Sequence, residues 1–165
     1  MSTLLRDYYG KRRLTARQIL SDPILFLAFG FGSGLSKFMP GTLGTLATVP
    51  VYLLLTQLSP TYYLLVTLLN VLFGIYVCEQ AAKKLDEHDF GGIVWDEVAG
   101  FLVTMCWLPF SWQSLLAGFV LFRLFDIFKP WPIKWLDQHV SGGFGIMIDD
   151  VLAGVFAAFL LRIWF

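Results

Sequence analysis

Charge is scarce in this chain: of 165 residues only 15% are Asp, Glu, Lys or Arg, divided into 12 basic and 12 acidic. A formal net charge of zero leaves no global field to draw nucleic acid or a charged protein partner. Only two cysteines and two histidines are present. Cys78 precedes EQAAKK, with no arginine where a cysteine-phosphatase loop needs its anion clamp, and Cys106 lies in an apolar run. Both read as structural, reduced thiols at depths too different to pair. There is no Ser/Gly linker, low-complexity tract or internal repeat, so residues 1–165 read as one domain. The first 22 residues lack the apolar stretch and small-residue cleavage site of a secretory signal.

Apolar residues are abundant: 57% of the chain is hydrophobic and the mean hydropathy is +0.69. That exceeds what a soluble domain of this size needs to fill one core, and it predicts a membrane protein. Runs at 43–58, 61–78, 93–109, 112–128 and 146–165 each approach a hydrocarbon core of about 30 Å at roughly 1.5 Å per residue. The expected fold is all-α, a multi-pass integral membrane bundle of about five spanning helices. The run 23–36 is short and interrupted by Gly30, Gly32 and Gly34, so it reads as re-entrant or interfacial. Residues 1–22 carry Arg6, Lys11, Arg12, Arg13 and Arg17 against Asp7 and Asp22, a basic segment suited to an anionic lipid surface.

Lys83, Lys84, Lys129 and Lys134 fall in the loops that share a side with this N-terminus, whereas "SP" at 59–60 and "FS" at 110–111 are uncharged. The positive-inside rule then places the N-terminus and the basic loops in the cytoplasm. On that topology Asp96 and Glu97 open the third span, Asp126 closes the fourth, and Asp149 and Asp150 open the fifth. All five reach one depth at the cytoplasmic end. A carboxylate at mid-span costs about 2.5–3.5 kcal/mol on insertion scales and less near the interface, so a set at one level calls for a compensating cation. Clustered carboxylates without cysteine favour a hard ion, Mg²⁺ ahead of Mn²⁺ or Ca²⁺, over zinc. The competing reading is that acids in first helical turns complement the dipole or make salt bridges.

In "FRLFDIFKPWPIKW" (122–135), Arg123, Asp126 and Lys129 are spaced to share one drifting helix face. Either Arg123 pairs with Asp126 while Lys129 snorkels to water, or Asp126 serves a metal while Lys129 and Arg123 meet an anion. The prolines of "PWP" end the helix, and Trp131 and Trp135 suit the headgroup layer. Two glycine-rich stretches, 30–45 and 141–150, lack the order of a Walker loop or a dinucleotide fingerprint. Ser33, Ser36, Lys37, Thr42 and Thr45 supply donors for a phosphate there, while Gly30 and Gly34 serve close helix packing equally well. No DxDx[TV] aspartyl-phosphate motif is present, and the two histidines do not assemble the set used by acid-phosphatase-like lipid phosphatases.

Four ordered motifs, "GFGSGLSKFMPGTLGTLA", "HDFGGIVWDEVAG", "FRLFDIFKPWPIKWLD" and "GGFGIMIDDVLAG", together resemble the bacterial phosphatidylglycerophosphatase A family over almost the whole chain. The resemblance implies a Mg²⁺-dependent inner-membrane phosphomonoesterase, facing the cytoplasm, that converts phosphatidylglycerophosphate to phosphatidylglycerol. Its acidic motifs fall on Asp96, Glu97, Asp126, Asp149 and Asp150. The expected division of labour gives one or two Mg²⁺ to these acids, with Asp126 as ligand or as acceptor of a proton from the attacking water. Lys129, helped by Arg123 or Lys37, offsets phosphoryl charge, and His88 protonates the leaving oxygen or simply pairs with Asp89. Ser33, Thr42 and Lys37 complete the expected substrate contacts. Water attack and an aspartyl-phosphate intermediate both stay open. A transporter and a structural membrane subunit are the alternatives, but the first would carry its acids near the midplane, between repeats, and the second would need none of these charges.

Overall fold

The structure is a computed structural model that describes residues 14–88 and 90–165. Most of the expected basic segment, including Arg6, Asp7, Lys11, Arg12 and Arg13, lies outside the described residues, as does Asp89. Among the described residues every regular element is helical.

Helix α1 (Ala16–Ser21) starts at a capping box in which Thr15 and Gln18 satisfy each other's backbone amides. α2 (Pro23–Ala28) follows at once, because Pro23 suits a first helical position and the Asp22 carboxylate accepts from the amides of Ile24 at 3.0 Å and Leu25 at 3.1 Å. Asp22 also pairs with Lys84. Burial pushes the Asp22 carboxyl up, but Lys84 and the two amides outweigh it and hold it below the ordinary value. The run 23–36 is not a continuous helix. Positive φ at Gly30 (52°), Phe31 (58°) and Gly32 (98°) turns the chain within a short 3₁₀ segment, Gly30–Leu35.

Five larger helices follow: α3 (Pro40–Leu55), α4 (Pro60–Leu85), α5 (Trp95–Thr104), α6 (Trp112–Phe128) and α8 (Gly142–Trp164), with the short α7 (Ile133–His139) before the last. α3 and α4 both open on proline. α6 opens on a Ser111/Ser114 capping box and ends where Lys129 turns left-handed ahead of Pro130. α5 is the central helix and packs against α3, α4, α6 and α8. One core cluster joins α2, α4, α5 and α8 around Phe29, Val77, Trp95 and Met147. A second joins α3, α5, α6 and α8 around Tyr52, Phe101, Phe122 and Ala157.

α4 and α8 are long and apolar enough to cross a membrane; α3 is apolar but shorter, at 16 residues. Most of the apolar stretch of α4 is not buried inside the protein. Leu65, Leu68, Leu69, Leu72 and Phe73 instead form an exposed apolar face.

α4 runs on past the expected end near 78, so Lys83 and Lys84 lie in its last turn rather than in a loop, and two further boundaries differ from those expected from sequence. The run 93–109 is helical only over the ten residues Trp95–Thr104, about 15 Å, because Trp107 sits at φ 58° and Pro109 follows. The expected uncharged connector at 110–111 is therefore the end of a longer one, 105–111. The second difference is the start of α8. It begins at Gly142 rather than near 146, so Asp149 and Asp150 are its eighth and ninth residues, about two turns in, and not in its first turn. The glycines of 142–145 signal a loop by composition, but here they allow close packing: a Cβ on Gly143 would collide with the Ile75 carbonyl of α4.

The same device sets the α5–α8 crossing. A Cβ on Gly154 would fall on the Gly100 carbonyl, and one on Gly100 would come within 2.6 Å of the Asp150 carbonyl oxygen. Gly154→Ala is therefore expected to lower stability by about 1–3 kcal/mol through overpacking, read as a fall in thermal midpoint in detergent. An unchanged midpoint would mean that the two helices separate freely.

Candidate active site

The start of α5, the end of α6 and the third turn of α8 converge at one end of the bundle around a cavity of about 130 Å³. Asp96, Glu97, Asp126, Asp149 and Asp150 all line it, joined by His88, Lys129 and Asp137. The structure thus brings the five expected acids together.

Their positions separate structural capping from something else. Asp96 and Glu97 lie in the first turn of α5, where a negative charge complements the dipole, and Asp96 Oδ1 accepts from the Glu97 amide at 3.1 Å. Asp126 lies in the last turn of α6, where the dipole opposes it, and Asp149 and Asp150 are too far along α8 to be caps. Capping therefore accounts for two of the five at most. Asp149 and Asp150 are also nearly inaccessible, at 5% and 3% exposure.

Arg123 offsets part of this charge. Its Nη1 lies 2.5 Å from Asp126 Oδ2 and 3.6 Å from Glu97 Oε1, with all three side chains largely buried. Of the two readings of Arg123, the structure shows the pairing with Asp126 and adds Glu97. Gly41, in the first turn of α3, makes this possible, since a Cβ there would land on Glu97 Oε1 and come within 3.0 Å of Arg123 Nη1. Lys129 Nζ is held by Asp137 Oδ1 at 2.5 Å and Asp149 Oδ2 at 2.6 Å. Burial works against the charge on Lys129, but the two carboxylates hold its ammonium well above the ordinary lysine value.

Around this pocket six carboxylates face two cations. Glu97 Oε2, Asp149 Oδ1 and Asp150 Oδ2 are buried with no hydrogen-bond donor. Asp96, Glu97 and Asp150 each offer an oxygen within 4.8 Å of the others. Buried carboxylate oxygens without donors are costly unless something positive meets them, and an all-oxygen donor set fits a hard divalent ion. The residues present therefore fit the expected cation.

The other expected substrate contacts are distributed differently. His88 lines the cavity, but its Nε2 accepts the Gly142 amide at 2.6 Å. Ser33 Oγ donates to the Gly30 carbonyl at 2.9 Å, and Lys37 is exposed. Thr42 Oγ1 is buried without a partner. None of Ser33, Lys37 and Thr42 lines the cavity. Two polar residues escaped the sequence reading. Glu79 Oε2 accepts the Gly143 amide at 2.5 Å, so Glu79 and His88 together take up the first amides of α8. Asp137 closes the "PWPIKWLD" motif, yet only the path of α7 returns it to Lys129.

The chain is a helical protein with an exposed apolar face and a buried acid-rich pocket at one end of its bundle, the arrangement of an enzyme that acts on an amphipathic molecule. The family model for phosphatidylglycerophosphatase A matches residues 26–165, and the chain belongs to that family. It is 50% identical over 147 residues to the Escherichia coli phosphatidylglycerophosphatase A, covering 88% of this chain and 86% of that one. The Haemophilus influenzae phosphatidylglycerophosphatase A is 46% identical over 150 residues, 88% of this chain and 92% of that one. A Bacteroides thetaiotaomicron protein provisionally named phosphatidylinositol-3-phosphatase is 39% identical over 152 residues, 86% of this chain and 92% of its own. No solved structure matches the chain.

Proposed function

We propose that this chain hydrolyses the terminal phosphomonoester of phosphatidylglycerophosphate in a Mg²⁺-dependent reaction at the cytoplasmic face of a bacterial inner membrane. The observation that carries this is membership of the family, with near-full-length relatives named for the activity. The buried acid pocket supplies the chemistry the reaction needs.

Glu97, Asp149 and Asp150 present the oxygens that lack donors, and Asp96 adjoins them, so these four would hold the ion. When bound, a divalent ion supplies charge neutralisation and Lewis-acid polarisation of the phosphate. Asp126 stays with Arg123 and keeps that end of the pocket in place. Lys129 donates to a non-bridging phosphate oxygen and offsets charge in a loose, in-line transition state. The phosphorus–oxygen bond to glycerol breaks as the water oxygen bonds to phosphorus. A pocket carboxylate accepts the proton lost by water. The departing glycerol oxygen gains one from solvent, because His88 Nε2 is already engaged by Gly142.

α3, α4, α5, α6 and α8 are the crossing elements on this reading, with α5 completed by 105–110, and the acids lie near the cytoplasmic headgroups. The purified chain with phosphatidylglycerophosphate and Mg²⁺ is expected to release inorganic phosphate faster than with phosphatidylinositol 3-phosphate. The reverse preference would transfer the substrate to the second lipid, and no release from either would defeat the reading. For topology, Cys78 and Cys106 are replaced and one cysteine is introduced at Glu87 or Ser59. An impermeant thiol reagent should label the first only from the cytoplasm and the second only from outside; labelling of both from one side would refute the arrangement.

A further inference from the structure

Asp137 lies outside the five-acid set, and the reaction described above gives it no role. Its Oδ1 and Asp149 Oδ2 nevertheless grip the same ammonium, that of Lys129, from two different helices. Lys129 is the residue that ends α6, fixed in left-handed backbone at φ 40°. α7 is anchored by Ile133, which is fully buried and packs in the second core cluster. Asp137 is four residues beyond Ile133, on the same side of the helix, so the burial of one aims the other inward.

We propose that Asp137 is a positioning residue that holds the Lys129 ammonium at the pocket, ready for an anionic phosphoryl group, and so leaves Asp149 available to a cation. The inference rests on the hydrolase reading. A lysine stem is flexible, and a single partner leaves its charge free to swing. Asp149 has one oxygen on Lys129 and the other, Oδ1, buried without a donor. An ion drawing on Asp149 weakens its hold on the lysine, and Asp137 is the anchor that remains. Exposure agrees with this division: the Asp137 side chain is 32% exposed and that of Asp149 is 7%. The outer acid serves the lysine and the inner one the ion.

The test is a double-mutant cycle on the full chain with Asp137→Asn, Lys129→Ala and both together, using phosphatidylglycerophosphate. Asp137→Asn is expected to lower kcat by about 10- to 100-fold, the scale of a misplaced catalytic group, with KM within about 3-fold. Asp137→Glu, which keeps the carboxylate, should recover part of the loss. The double variant should be no slower than Lys129→Ala alone, since Asp137 acts only through that lysine. Losses that multiply, or wild-type turnover in Asp137→Asn, would overturn the proposal. Thermal melts of the same variants need no substrate. If the wild-type chain releases no phosphate, the hydrolase reading fails by itself; non-additive melting then upholds the Asp137–Lys129 anchor, and additive melting removes it.

Discussion

Asp150→Asn and Asp96→Asn are each expected to abolish phosphate release while the protein still inserts and folds. The substitution keeps the shape of the side chain and removes the charge that a hard divalent ion requires. Asp150 is 3% exposed, has a buried oxygen with no donor, and belongs with Asp96 and Glu97 to the group whose oxygens lie within 4.8 Å. Outer partners of metal ligands typically cost 10- to 100-fold when changed, so loss of a ligand should exceed about 100-fold in kcat/KM. Folding should not suffer, because an amide in place of a crowded carboxylate relieves like-charge repulsion. The melt of Asp150→Asn without added metal should therefore match or exceed that of the wild type. Turnover within a few-fold of wild type at ordinary Mg²⁺ would remove that residue from the ion site. EDTA should silence the native chain, and recovery with Zn²⁺ but not Mg²⁺ would show the ion to be the wrong one.

Arg123→Ala should damage stability as well as turnover. Arg123 Nη1 lies 2.5 Å from Asp126 and 3.6 Å from Glu97, so its removal strands two buried carboxylates. Breaking one partner of a buried pair typically costs about 3–5 kcal/mol, because an uncompensated charge remains. The second substitution Asp126→Asn should restore part of the lost stability and none of the activity. A third, Glu97→Gln, should restore more. If Arg123→Ala melts like the wild type and loses only activity, Arg123 contacts the substrate and its pairing with Asp126 carries no structural weight.

These two experiments probe residues that composition alone makes conspicuous. In a chain only 15% charged, acids at 96, 97, 126, 149 and 150 beside apolar helices stand out. Helical class, the breaks at Pro60 and Pro130, and the failure of 23–36 to form one long helix were legible for similarly local reasons: proline, glycine and apolar run length act within a few residues. Local signals misled where close packing uses the same residues as loops. Residues 142–145 look like a flexible connection, but they start α8, and glycine is needed there because α4 lies too near for a side chain at Gly143.

Ser33, Lys37 and Thr42 show the same limit at the site. Their residue types suit a phosphate, yet Ser33 satisfies its own turn and none of the three lines the cavity. Asp137 is the converse, an acid at a helix end with nothing local to mark it. Ile133 is buried and α7 packs on α8, and only that placement carries Asp137 to Lys129. The amino-acid sequence by itself determined the helical class, the apolar surface and the identity of the acids, because these depend on composition and on spacing along one helix. Tertiary structure decided which oxygens lack donors, which acid Arg123 and Lys129 each hold, and which polar residues stay outside, because those depend on distances between segments far apart in the chain.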